Sequence, residues 1–340
     1  MDFEIRNGVL IKYHGNDTDV TIPDGVIRIG EKSFYKCDSL KSITIPDSVK
    51  KIGWMAFDSC INLTSIDIPD SVERIEDSAF EGCIKLKSVI IPDSVTLIGK
   101  ETFAYCISLK SLIISDNIKI IRYKTFEGCI GLKNILIPDS VQKISEGAFY
   151  KCKNLKNIII SDSVERIEDS AFEGCTSLKN IIFPDSVKNI GNSAFKDCAS
   201  LTSIIIPDGV ESIGNSIFEG CANLTSVIIP DSVKSIGNKA FYDCTHLTGV
   251  KIPDSVSKID WSTFLGCTSL TSIEIPDGVN SIGAGAFYGC KSLTNITIPD
   301  SVKSIECGAF NYCESLRRIK LPDGMEMDEN VFTECPNIKL

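Results

Sequence analysis

The chain has 340 residues, a formal net charge of −10 and 43% hydrophobic residues, so it holds enough apolar material for a sizeable core. Its acidic field repels phosphate backbones and anionic lipid headgroups, which argues against nucleic acid as a partner. No stretch approaches the roughly 18 apolar residues that span a bilayer, so membrane insertion is not expected.

The first residues, Met1-Asp2-Phe3-Glu4-Ile5-Arg6, lack the basic-then-apolar pattern of a secretory signal, which points to the cytoplasm if Met1 is the natural start. Beyond residue 21 a period takes over. Phe recurs at 34, 57, 80, 103, 126, 149, 172, 195, 218, 241, 264, 287 and 310 at a spacing of 23, then at 332 after one deletion. Three residues after each Phe stands a Cys, from Cys37 to Cys335, and of the 15 cysteines only Cys307 falls out of register.

One unit reads Leu201-Thr202-Ser203-Ile204-Ile205-Ile206-Pro207-Asp208-Gly209-Val210, followed by Ile213, Phe218 and Cys221. Leu201, Ile204, Ile206 and Val210 have the spacing of inward residues on a short strand and its turn, with Ile213, Phe218 and Cys221 filling the far wall. Pro207, lacking an amide donor, suits the strand's end. A unit of this size cannot bury its own apolar face, so neighbours must stack, their strands pair in parallel and like residues form ladders. The reading is a repeat solenoid of 14 units whose Phe rings make a spine.

The consensus Leu-x-x-Ile-x-Ile-Pro-Asp-Ser-Val-x-x-Ile-Gly-x-x-Ala-Phe-x-x-Cys resembles the BspA-like, or treponemal-type, leucine-rich repeat over residues 20 to 340. The resemblance implies an arc with a parallel β-sheet on its concave face. It also implies an N-terminal cap in Phe3 to Tyr13, where a hairpin would turn at Asn7-Gly8. Family members are often surface adhesins for host or matrix proteins, which implies a protein ligand and a cell-surface or secreted location. Departures from the consensus are mild: Ser115 and Ser161 replace Pro, and Glu76, Arg122, Ser145, Glu168, Asp260 and Glu306 replace Gly. The chain is expected to be a single domain, 1–340, with a cap at 1–21, repeats at 22–335 and a short last strand at 336–340. That strand's open edge is a possible self-association site.

The regular cysteines suggest neither metal nor disulfide. No Cys-x-x-Cys occurs, and stacked parallel side chains lack the crossed geometry of a disulfide, so the thiols are expected to be free, buried and packed as small hydrophobes. The Asp of each Pro-Asp would stack into a column of carboxylates. A calcium ladder is conceivable, but an Asp that caps its own turn by accepting the amide two residues on accounts for the pattern better. Ser48, Ser71, Ser94 and Ser140 are expected to bond the neighbouring turn's backbone, with Asn117 substituting once. Only two histidines occur, His14 and His246, and no cofactor or catalytic constellation is indicated, so the chain is not expected to be an enzyme.

Function in a solenoid is expected where outward positions depart from their own column. The residue between the two inward strand positions runs Thr44, Asp67, Ile90, Ile113, Leu136, Ile159, Ile182, Ile205, Ile228, Lys251, Glu274, Thr297, Lys320. Seven consecutive central units are aliphatic there, and Lys87, Lys110, Lys133, Lys156 and Lys179 precede the strand on five of them. Strand propensity and repeat duplication could place Ile in such a column. The alternative is a stripe that receives an apolar, acidic protein segment. These positions are the candidate partner-binding residues of a non-enzymatic, adhesin-like recognition module. The rival reading is an intracellular scaffold or self-associating rod that mates through the same stripe.

Overall fold

The computed structural model describes residues 2–338. It is a parallel-sheet solenoid of about 14 turns of about 23 residues, with no helix among the described residues. By contact density it divides into two compact units, Met1–Val164 and Glu165–Leu340, each a run of stacked turns.

The first unit opens with a hairpin. Phe3–Arg6 pairs antiparallel with Val9–Tyr13, and Asn7 and Gly8 between them have φ of 50° and 74°. Two successive positive φ values make the tight turn whose twist matches that of the strands, which is why Asn-Gly occupies it. The hairpin then joins the stack, since Val9 and Leu10 pair in parallel with Arg28 and Ile29. Tyr13 is buried and lies between Phe3 and Phe34 at 5.2 Å from each ring. Its hydroxyl donates to the Asp17 carboxylate at 2.9 Å, so an aromatic ring with one polar edge seals the end of the Phe ladder.

Most later turns have two short strands, and a few, such as the one containing residues 65–67, have only the second. Three-residue strands such as Ser88–Ile90 and Ser111–Ile113 pair one repeat apart, and so do two-residue strands such as Lys51–Ile52 and Arg74–Ile75. The first column is the one the Leu-x-x-Ile-x-Ile pattern predicts. The second was not anticipated, because a two-residue strand leaves only one inward side chain, Ile52 or Ile75, and no alternation to detect.

Between the second strand and the next repeat lies the Phe segment, where the chain is neither helix nor strand. Its amides alternate in destination. Met55, Phe57 and Ser59 donate to Asp77, Ala79 and Glu81 of the next repeat at 2.7–3.1 Å. Ala56, Asp58 and Cys60 donate back three residues, to Gly53, Met55 and Phe57. This alternation satisfies every amide in the segment, but it places the residues two before and two after each Phe at positive φ. Met55, Ser59, Glu101, Tyr105 and Lys151 all adopt it, at φ of 51–59°. Such conformations disfavour L-residues by roughly 1 kcal/mol, so most repeats tolerate a local penalty for the sake of the ladder.

The core is laddered by residue type. Phe34 to Phe149 in the first unit stack at centroid spacings of 5.0–5.9 Å. Phe172 to Phe332 in the second do so at 5.2–6.0 Å. Cysteine has a more specific role than filling space. The thiol of Cys60 donates to the carbonyl of Phe34 at 3.0 Å, and Cys83, Cys106 and Cys129 do likewise to Phe57, Phe80 and Phe103. Phe57 O also accepts the amide of Cys60, so one carbonyl is satisfied by its own repeat and by the thiol of the following one. Burial pushes these thiols up, Cys152 to about 12, which keeps the donor proton in place.

The Pro-Asp turns depart from expectation. The amide two residues after Asp47 or Asp70 is already taken by the proline carbonyl, with Val49 N to Pro46 O at 3.1 Å and Val72 N to Pro69 O at 3.0 Å. Asp47 and Asp70 are exposed and do not cap their own turns, while Asp93 Oδ1 accepts the amide of Asp116 in the next repeat at 3.3 Å. The serines behave as expected: Ser48, Ser71, Ser94 and Ser140 donate to carbonyls 22 residues back at 2.7–2.8 Å, and Asn117 Nδ2 reaches Asp93 O at 2.7 Å. Ser115, standing where Pro is usual, donates to Val95 O at 3.0 Å and is buried. At the far end Pro336 and Asn337 form a turn, while Lys339 and Leu340 of the expected short last strand lie outside the described residues.

Two outcomes follow from this geometry. Glu101→Gly should raise the unfolding free energy by about 1 kcal/mol, and Gly82→Ala, at φ 67°, should lower it by about as much; urea titration that gives the opposite order would contradict the alternating-amide account. Thiol titration of the native protein should find Cys307 reactive at once, and denaturation should expose all 15.

Candidate partner-binding face

In the three-residue strands the middle side chain enters the core and the flanking ones leave it, as the 2-residue period requires. The aliphatic column is accordingly exposed. In the first unit Ile90, Ile113, Leu136 and Ile159 are 55–63% accessible, and in the second Ile182, Ile205 and Ile228 are 59–82% accessible. Register brings them together in pairs: Ile90 lies beside Ile113, Leu136 beside Ile159, and Ile205 beside Ile228. Exposure at this level means that these side chains contribute little to the core, so their aliphatic character is not a packing requirement.

Lys87, Lys110, Lys133 and Lys156 in the first unit and Lys179 in the second are exposed. Their backbones lie in the ladder, with Lys110 N on Lys87 O at 2.9 Å and Lys156 N on Lys133 O at 2.8 Å. None of the five ammonium groups forms a salt bridge among the described residues. Between lysine and the aliphatic residue stands Ser88, Ser111, Asn134, Asn157 or Asn180, and Asn157 Nδ2 donates to Asn134 Oδ1 at 2.7 Å. The face therefore offers a file of cations beside a file of alkyl groups, separated by polar rungs. It suits an extended segment that carries acidic and apolar residues in alternation.

The second unit has a local opening in this face. Residues 180–182 form no strand, and the ladder hydrogen bonds seen between 205–206 and 228 have no counterpart between 181–183 and 203–205. Phe183 occupies the second inward position, where neighbouring repeats have Ile. It is only partly buried and meets Phe195 edge-on at 5.6 Å and 68°. Here an open groove of about 390 Å³ is lined by Ile181, Ile182, Phe183, Ile205 and Pro207 together with Asn180, Asp185, Ser203 and Ile204. A second depression, of about 610 Å³, is polar and lined by Glu274, Asp277, Asp300 and Lys320 among others. Phe183 was visible in the sequence as a break in the Ile column, but a change between two apolar residues gives no sign of a groove.

Exposed aromatic side chains lie elsewhere, on the Phe segments: Trp54, Tyr105, Trp261, Tyr288 and Tyr312. Among the described residues no group of three or more His, Cys, Asp or Glu side chains is arranged to hold a metal ion. No helix is long and apolar enough to cross a membrane.

The BspA type leucine-rich repeat region matches residues 10–133, 119–248 and 234–339 of this chain. Among solved structures, a leucine-rich repeat protein from Bacteroides ovatus is 30% identical with a TM-score of 0.77, the match covering 98% of this chain and 90% of that one. A leucine-rich cell surface protein from Faecalibacterium prausnitzii is also 30% identical, with a TM-score of 0.56 and coverage of 94% and 92%. The pneumococcal vaccine antigen PcpA, 20% identical with a TM-score of 0.59 and coverage of 89% and 90%, shares the fold. No curated protein sequence matches the chain. The laddered Phe, Cys and Ile columns, the short parallel strands and these matches together place the chain in the BspA-type leucine-rich repeat family.

Proposed function

We propose that this chain is a non-enzymatic recognition module of adhesin type that binds an extended, acidic and apolar protein segment along its outward strand column. The observation that carries the reading is the exposed aliphatic file, Ile90 to Ile159 in one unit and Ile182 to Ile228 in the other, beside lysines that have no ionic partner. Soluble proteins seldom leave such files uncovered, and an acidic chain has little reason to leave five cations unpaired in one column. The apolar groove at Phe183 fits an anchoring side chain of the ligand. The family supports the class of function, since leucine-rich repeats are protein-interaction scaffolds. The Faecalibacterium relative, described as a cell surface protein, supports an extracellular ligand such as a matrix protein.

Binding to purified matrix proteins, followed by interferometry, tests this. At least one should bind the native chain with an affinity that falls as salt rises, because the lysines contribute charge. The pair Ile90→Lys and Ile113→Lys, or the pair Ile205→Lys and Ile228→Lys, should weaken capture tenfold or more, while unfolding stability changes by no more than about 1 kcal/mol. Undiminished capture by both pairs removes the strand column from the account. Light scattering should show a monomer; assembly that the same substitutions abolish would instead assign the stripe to self-association.

A further inference from the structure

A second site lies in the first unit, away from the strand column, and is built on consensus departures that the proposed function does not use. Trp54, Arg74, Glu76, Asp77, Leu97 and Arg122 line a surface pocket of about 250 Å³. They come from the two-residue strand column and the residues that follow it. Arg122 and Glu76 stand where Gly53 and Gly99 show the usual residue. A Cβ on Gly99 would lie 2.3 Å from Asp77 N, so without a backbone shift no side chain stands between Glu76 and Arg122 in this column.

The charges of this pocket are unequally matched. Glu76 is engaged by Lys51 and, at 3.3 Å, by Arg28 Nη2. The guanidinium groups of Arg74 and Arg122 have neither salt bridge nor hydrogen bond among the described residues. Asp77 uses one oxygen to accept the Lys100 amide at 2.8 Å and has the other available. Trp54 is about one-third exposed, and Lys32 from the preceding turn covers it at 4.4 Å from the ring, while the pocket residues come from the turns that follow.

We infer that this pocket binds a single carboxylate-bearing sugar unit, such as one uronic acid residue. The indole in the lining can meet the C–H side of a pyranose ring with the surface that Lys32 leaves uncovered, the unpaired guanidinium groups of Arg74 and Arg122 can each pair with a carboxylate, and the remaining Asp77 oxygen can accept a sugar hydroxyl. The volume equals roughly eight waters, which suits one ring and excludes a folded partner. The carboxylates of Asp77 and Glu76 repel a dianionic phosphate, and the net charge of −10 repels a polyanionic backbone, so a monoanion rich in hydroxyls is the best match. Trp261 provides an internal contrast. It is exposed and covered by Lys239 at 4.7 Å, yet Lys258 beside it is paired with Asp260 at 3.1 Å and no arginine stands near it in the following repeats of its column.

The test uses the full chain with Trp261→Phe, leaving Trp54 as the sole tryptophan. Titration with methyl glucuronide should change the Trp54 emission saturably, with a dissociation constant in the millimolar range. Neutral methyl glucoside, sodium acetate and inorganic phosphate should each produce no comparable saturation. Arg122→Gly, which restores the column's usual residue, should weaken binding by roughly tenfold or more, and Arg74→Gln should do the same, with thermal unfolding unchanged in both. An unsaturable response overturns the assignment, as does equal saturation by glucoside, acetate or phosphate, or full binding by both arginine variants. The strand-column substitutions should leave this titration unaffected, so the two readings stand or fall separately.

Discussion

The structure depends on a carbonyl and a ring. Each Phe carbonyl inside a unit accepts the amide of its own Cys and the thiol of the next repeat's Cys, while its ring stacks on neighbours 5–6 Å away. The spacing between repeats is thus set twice, by polar and apolar contacts at the same residue. A serine could donate the same bond but would bring a stronger polar group into the core, and an alanine would leave the carbonyl with one partner fewer. Cysteine alone combines a weak donor with an apolar body, and the pKa shift caused by burial keeps it protonated. The remaining features, including the strained positive-φ residues, follow from keeping that spacing.

The period exposed most of this fold in advance. Phe and Cys at 23-residue intervals dictated stacking, the Ile-x-Ile pair dictated one strand column, and Asn7-Gly8 marked the hairpin. Where the reading fell short, the cause was chemical ambiguity. Positive φ is shared by Met55, Glu101 and Lys151, residues with no preference for it, so the alternating amides left no mark in composition. The second strand column is too short to alternate. The Asp turn cap was a sound expectation for Pro-Asp, but it failed because proline's carbonyl reached the same amide first.

The candidate surface was legible to a different degree. The aliphatic and lysine files were readable because one column broke its own pattern, and the structure shows those side chains exposed in both units. The opening at Phe183 and the pocket at Trp54 were not readable. The first depends on how the side chains around Phe183 pack, and the second on which arginines remain unpaired after Glu76 has taken Arg28 and Lys51. Both arise where a repeat departs from its column, which fits the general logic of solenoids: packing fixes the inward residues, and recognition is free to act on the rest.

That division of labour, stability in the inward columns and recognition in the outward one, is open to one direct measurement. Equilibrium urea unfolding of Phe126→Ala and Ile113→Ala compares an inward and an outward residue in the same repeat. The account predicts a loss of about 3–5 kcal/mol for the buried ring and less than about 1 kcal/mol for the exposed isoleucine. Comparable losses at the two positions would contradict it.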